Sequence, residues 1–252
     1  MTNKLKYFVG NWKMFGDFSS FKIINKINIY NSKGFNANKQ KTILCVPNTL
    51  IHFYNSKLKK KFIYLGAQNC HFKEKYGPFT GSVSPAMLKK MGAKFVILGH
   101  SENRIEGEKN NLIKKKINSA ISQNLNVIFC IGETYKEKLK GKTFSVIKNQ
   151  IIGSLKKGYN INKLFIAYEP VWSIGTKKTP KNEELKKIAK FIKKFSSKFF
   201  RHNRYPKVLY GGSVSPKNIG LLSNIKELDG FLIGGASQSS KKFIDIIKNY
   251  YK

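Results

Sequence analysis

The sequence predicts an α/β fold in which eight parallel strands close into a single-domain (β/α)8 barrel, and three observations carry that prediction. Eight short apolar runs rich in β-branched and aromatic residues recur along the chain, each stopped by Gly, Pro or a polar residue. The stretches between them have helical spacing. Strands that alternate with helices run parallel, because only a crossover helix returns the chain to the same end of a sheet. Finally, the 252 residues are 41% hydrophobic, enough for one large core, and one such barrel needs about 250 residues. A single domain over 1–252 is therefore expected.

The elements follow in order. YFVGNWKM is the first strand, and Phe21, Ile24, Ile27 and Ile29 mark the apolar stripe of the first helix. Lys33 to Lys41 reads as a polar turn before TILCVP, and the tract Lys57 to Lys61 connects a helix-like segment to FIYLGAQ. Ser84-Pro85 and Ser215-Pro216 each set a capping hydroxyl before a proline suited to the first helical position. After FVILGHS, a helix carries Ile113, Ile117, Ala120 and Ile121, and VIFCIGE follows it. LFIAYEP leads into a loop from Pro170 to Pro180, then a helix with Leu185, Ile188, Ile192 and Phe195. KVLYGGS and GFLIGGAS end the series. An open doubly wound sheet would place a Gly-rich dinucleotide turn after its first strand, but VGNWKM contains no GxGxxG. GTKKT lacks the glycine before lysine that a phosphate-binding P-loop requires.

Charge raises a different possibility and then removes it. With 48 Lys and Arg against 13 Asp and Glu, the formal net charge is +35. Nucleic-acid surfaces favour the guanidinium fork, yet the arginines are only Arg104, Arg201 and Arg204. Lysine, asparagine and isoleucine are abundant together and share A/T-rich codons, so compositional drift accounts for the charge and no dedicated nucleic-acid partner is expected. Runs such as Lys114-Lys115-Lys116, Lys186-Lys187 and Lys193-Lys194 are read as solvated helix faces. Cys45, Cys70 and Cys130 are odd in number and widely spaced, which indicates neither a disulfide framework nor a zinc site and fits a reducing compartment. No apolar run is long enough to span a membrane or, before Gly10, to form a signal-peptide core. The expectation is a soluble, cytoplasmic protein.

The unusual polar residues gather at strand ends, where a barrel of this kind keeps its active site. Asn11 and Lys13 end the first strand, His100 the fourth, Glu169 the sixth, Ser213 the seventh and Gly234-Gly235 the eighth. Glu169 emerges from a buried run, which suits a general base, and the proline-bounded loop behind it, centred on Gly175, suits a lid. His100 stands apart from His52, His71 and His202, which read as structural, because Gly99 and Ser101-Glu102 bracket it in a strand-to-helix turn. The glycines at 211–212 and 234–235 allow backbone N–H groups to approach a phosphate closely, each ahead of a helical segment.

VGNWKM, GAQN ending at Asn69, GPFTG with Thr80, LGHSE, CIGE at Cys130 to Glu133, AYEPVWSIGTKKTP, YGGSV and GFLIGGAS occur in that order over almost the whole chain. Together they resemble the triosephosphate isomerase family. The resemblance implies a TIM barrel isomerase of glycolysis and gluconeogenesis that interconverts dihydroxyacetone phosphate and D-glyceraldehyde 3-phosphate through an enediolate. It implies Glu169 as base, a neutral His100 as hydrogen-bond donor to the developing oxyanion, Lys13 as its positive charge and Asn11 as an orienting group. It further implies substrate binding by Asn11, Lys13, Gly175, Ser213, Gly234 and Gly235, with no cofactor and no metal. A homodimer is implied as well, with Thr80 reaching the partner's copy of the Asn11–Lys13 region. The chain departs from the family pattern at Lys177, where the lid usually has glycine, and at Ser82 and Asn103, where the family can form a charged pair across the interface. A binding relic would be free to lose Glu169, His100 or Lys13, and another sugar-phosphate barrel enzyme should lack the NWK, GHSE and YEPVW set.

Overall fold

A computed structural model describes residues 5–33, 39–176 and 178–252. Eight strands, β1 (Lys6–Asn11), β2 (Gln40–Cys45), β3 (Tyr64–Ala67), β4 (Phe95–Leu98), β5 (Asn126–Ile131), β6 (Leu164–Tyr168), β7 (Lys207–Tyr210) and β8 (Gly230–Ile233), pair in sequence order. Every pairing is parallel, and β1 closes the ring onto β8 from Tyr7 opposite Gly230 to Gly10 opposite Ile233. The strands are apolar on both faces because both faces are covered. Val9, Ile43, Ile97, Ile128, Ala167 and Leu209 fill the barrel interior, while Phe8, Leu44, Val96, Phe129, Ile166 and Val208 pack outward against the helices.

The outer layer is built from α1 (Phe21–Ser32), α2 (Asn48–Lys57), α3 (Pro85–Lys90), α4 (Ser101–Ile105), α5 (Asn110–Ser122), α6 (Tyr135–Leu139), α7 (Thr143–Ser154), α8 (Asn182–Ser196), α9 (Ile219–Ser223) and α10 (Ser240–Tyr250). In α8, Leu185, Ile188 and Ile192 are buried, Glu183 and Glu184 lie in the first turn and Lys193 and Lys194 in the last, so the charges oppose the helix dipole at both ends. The Ser84 hydroxyl caps α3 by accepting the Met87 N–H, with Pro85 at the first helical position. Cys45, Cys70 and Cys130 are free and buried. No described helix is long and apolar enough to cross a membrane.

Three expectations need correction. Ile29 is 46% exposed, because 29 falls off the stripe set by 24 and 27; Asn28 takes the buried place and bridges to Lys60 O (2.9 Å) and Phe62 N–H (2.8 Å). Ser215-Pro216 does not open a helix. Asn218 Oδ1 accepts both the Ser215 N–H and its hydroxyl, holding a turn, and α9 begins only at Ile219. Lys116 is not solvated. It lies three residues after Ile113, on the inward stripe of α5, where its ammonium pairs with Glu108 and donates to Asn69 Oδ1 at 3.0 Å. Most of the polar turn expected at Lys33 to Lys41 lies outside the described residues, and β2 starts at Gln40, ahead of the TILCVP run.

The Lys116 pair sets up a stability test. Lys116→Ala would leave the Glu108 carboxylate buried without its cation, a loss of about 3–5 kcal/mol, whereas Lys115→Ala should stay within about 0.5 kcal/mol of the parent, as surface changes do. Urea unfolding at fixed protein concentration checks the difference.

Candidate active site at the carboxyl ends of the strands

One cavity of about 360 Å³ opens at the carboxyl ends of the strands, and Asn11, Lys13, His100, Glu169, Gly175, Ser213, Gly234 and Gly235 all line it. The barrel makes this meeting possible, since parallel strands deliver the residue after each strand to the same rim. All the candidate residues read from the sequence are thus brought together.

Glu169 follows the last residue of β6, and its N–H is held by Ile131 O at 2.8 Å. Its carboxylate is almost wholly buried, with Oε1 3.4 Å from His100 Nε2. Oε2 has no hydrogen-bond partner among the described residues. Burial pushes the Glu169 carboxyl above the ordinary carboxylate range, and His100, the nearby Cys130 thiol and Lys13 pull it back only in part. Gly211 stands directly against this side chain. A Cβ there would lie 2.6 Å from Glu169 Cγ, so glycine is what lets the carboxylate occupy its position.

His100 lies just beyond β4 and caps α4 with its own ring, Nδ1 accepting the Glu102 N–H at 3.2 Å. An accepting nitrogen carries no proton, so the ring proton sits on Nε2, the atom that faces Glu169. A Glu102 carboxylate oxygen also lies 3.5 Å from Nδ1, but the other oxygen of that carboxylate is bound by the Lys13 ammonium at 2.5 Å. Lys13 itself has φ of 56°, a left-handed conformation that few non-glycine residues adopt. Asn11 Oδ1 accepts the Lys13 N–H at 3.1 Å, which braces that turn.

Gly234 caps a short 3-10 turn, Gly235–Gln238, and both glycines line the cavity at the end of β8. The matching expectation for the 211–213 turn fails, because no helix starts there. Ser213 lines the cavity from an irregular turn, with its N–H donated to the Ser173 hydroxyl at 3.2 Å. The lid residues Val171–Ser173 form another 3-10 turn. Lys177 lies outside the described residues.

Several participants were not assigned roles from the sequence. Glu102 holds Lys13, a partner 89 residues away in the chain. Glu133, at the end of the CIGE run, is buried and accepts hydrogen bonds from Tyr168 (3.1 Å) and Trp172 Nε1 (2.8 Å), tying the lid to β5. The Lys138 ammonium lies 4.0 Å from the Trp172 ring on the other side. Ile174 and Gln238 also line the cavity, Gln238 donating to Trp12 O at 2.8 Å. Glu102, Glu133 and Ile174 sat in motifs that could have signalled them, whereas Lys138 and Gln238 did not. Among the described residues, no group of His, Cys, Asp and Glu could hold a metal ion.

Residues 6–250 match the family model described as triosephosphate isomerase. The triosephosphate isomerase of Dictyoglomus thermophilum is 39% identical over 97% of this chain and 99% of that protein. That of Bartonella bacilliformis is 37% identical over the full length of both. Among solved structures, the crystal structure of triosephosphate isomerase from Bartonella henselae superposes with a TM-score of 0.88 at 36% identity, covering 98% of this chain and 99% of that one.

The buried carboxylate predicts a trade between stability and charge. Because its folded pKa is raised, the ionised Glu169 costs stability in full above the folded pKa, and the cost vanishes as pH falls below the unfolded value. Glu169→Gln, a neutral isostere, should therefore stabilise the protein at neutral pH, with the gain shrinking as pH falls through the raised folded pKa and absent below about pH 4.3, the ordinary value for Glu. Unfolding midpoints of the two proteins across pH check the sign.

Proposed function

From the premise that this chain belongs to the triosephosphate isomerase family and interconverts dihydroxyacetone phosphate and D-glyceraldehyde 3-phosphate, a step of glycolysis and gluconeogenesis, we propose which residues perform the chemistry. Glu169 removes a proton from the carbon of dihydroxyacetone phosphate that bears the hydroxyl, and the electron pair moves onto the neighbouring carbonyl oxygen. His100 donates its Nε2 proton in a hydrogen bond to that oxygen, while Lys13 places a positive charge beside the enediolate and Asn11 orients it. The proton of the first carbon's hydroxyl passes to that oxygen, and the same carboxyl returns its own proton to the adjacent carbon, which leaves an aldehyde on the first carbon and completes the aldose.

The single observation that carries this reading is the buried Glu169–His100 contact at 3.4 Å. A base for a carbon acid must be held in contact with little water to compete, and the oxyanion needs a donor fixed in advance. The phosphate fits the opposite side of the cavity, against Gly175, Ser213, Gly234 and Gly235. These groups form one catalytic domain over 1–252 that uses no metal or cofactor in this reading.

The active form is a homodimer in the cytoplasm. Met14, next to Lys13, is fully exposed, as are large parts of Tyr76 and Ile105, and the loop that carries Thr80 is exposed too. Apolar side chains beside a catalytic lysine support a covering partner. Ser82 and Asn103 carry no charge, so burial rather than an ion pair holds this interface.

Two outcomes follow. Glu169→Gln and His100→Ala should each lower turnover about 100- to 10,000-fold, read with a coupled assay on glyceraldehyde 3-phosphate; near-normal turnover would refute the assignment. Dimer dissociation, followed by sedimentation, should vary little between low and high chloride, since no interfacial ion pair is there to be screened. A fully active monomer at micromolar concentration would refute the dimer.

A further inference from the structure

The edge of β5 that faces β4 is paired as far as Phe129, which stands opposite Leu98 at the end of β4. Gly99 then turns away with φ of 72°, and the next residues of β5 lose their strand partner on that edge. The other edge continues. Ile131 O accepts the Glu169 N–H at 2.8 Å and Glu133 O accepts the Val171 N–H at 3.0 Å, so β5 runs on past its end as the track along which the base emerges. Successive residues of a strand point their peptide groups to opposite neighbours, which leaves Cys130 and Gly132 facing the edge that β4 has left. Side chains complete it. Arg104 donates to Cys130 O at 3.2 Å, and the Gln150 amide, reaching in from α7, takes both peptide groups of Gly132. Its Oε1 accepts the Gly132 N–H at 2.8 Å while its Nε2 donates to Gly132 O at 3.1 Å. A primary amide carries a donor and an acceptor side by side, so it can do what a neighbouring strand would.

Gly132 is also the residue that touches the backbone of the base. A Cβ there would lie 2.0 Å from Glu169 O and 2.5 Å from Glu169 C, so neither residue can shift without the other. Behind them lies a second cavity of about 270 Å³, lined by Gly132, Gln150, Val171 and Glu169 itself. Side-chain packing therefore does not back the carboxylate on that side. We propose that Gln150 is a positioning residue for the reaction: by clamping Gly132 it fixes where Glu169 stands against the substrate carbon. A misplacement of about 1 Å at a reacting group costs on the order of 100-fold in rate. Gln150 does not line the cavity that takes the substrate, so binding of the phosphate is spared. This inference rests on Glu169 being the base.

The test is a double-mutant cycle on turnover that combines Gln150→Met, which keeps the length of the side chain without its amide, with Glu169→Gln. Alone, Gln150→Met should lower kcat about ten- to hundredfold and leave KM within about twofold of wild type, because the lost restraint acts on the transition state and not on binding. Inhibition by inorganic phosphate should keep its wild-type strength. In the Glu169→Gln background the same change should cost less than about twofold, since residues that act through one group are not additive. Unchanged kcat in Gln150→Met overturns the proposal. Equal losses in the two backgrounds overturn it too, as does a loss carried by KM and phosphate affinity, because both mark a general loosening of the site. Should Gln150→Met not fold, Gln150→Asn takes its place: the amide remains but is one methylene too short to span to Gly132, and the same outcomes decide. Failure of both variants to fold would show that Gln150 supports the barrel rather than the base, which also overturns the proposal. Near-normal turnover in Glu169→Gln alone would instead refute the base, and this inference with it.

Discussion

A carboxylate kept nearly out of water against an imidazole is the constraint on which the rest of this molecule depends. Glu169 is 3% exposed, and a charge in that position strains toward neutrality. It stays put because its backbone is pinned to β5 and its side chain is walled by Gly211 on β7's exit turn. A softer scaffold would let the carboxylate swing toward solvent, where it would be a weaker base. The closed barrel supplies the stiffness, since each strand that presents a reacting group is fixed by neighbours on both sides. Catalytic competence is thus a property of the whole ring and not of the rim alone.

Most of the fold was legible because parallel strands with two covered faces leave continuous apolar runs, and most of the site because its residues interrupt those runs at their ends. What escaped the reading depends on contacts between distant positions. Lys116 looked like any other lysine in a run, although its spacing from Ile113 placed it inward, and only Glu108 and Asn69 explain why a cation is kept there. Glu102 and Glu133 sat in motifs without a role because Lys13 and Trp172, which need them, are far away in sequence. Ser215-Pro216 carries an ordinary helix-start signal, but the Asn218 side chain draws both the Ser215 N–H and its hydroxyl as donors and holds a turn there instead. Ile29 was lost to simple angular drift along a helix.

The charge pattern takes on a meaning that composition alone did not give it. Carboxylates are scarce, 13 against 48 cationic residues, yet several are committed to specific tasks. Glu102 restrains Lys13, Glu108 balances Lys116, Glu133 anchors the lid tryptophan, Glu184 pairs with Lys138 and Asp229 with Lys193. Glu169 is the base in the proposed chemistry. Drift toward lysine has loaded the surface while acidic side chains hold positions where lysine could not serve. Excess positive charge is therefore compatible with an ordered site, because the few negative groups stand where the geometry requires them.

Ring closure has a consequence for how this protein comes into being on the ribosome. β1 completes its pairing only with β8, and the Trp12 indole donates to Ser237 O at 3.0 Å across 225 residues of sequence. Asn11 and Lys13 are translated long before Gly234 and Gly235, so the cavity they share has no closed wall until β8 has been made. Contacts of such long range form late, after the entropy of closing a long loop has been met. A nascent chain holding β1 through β7 would carry two open sheet edges and no enzyme. Activity should therefore arrive abruptly once β8 joins the ring rather than grow with chain length.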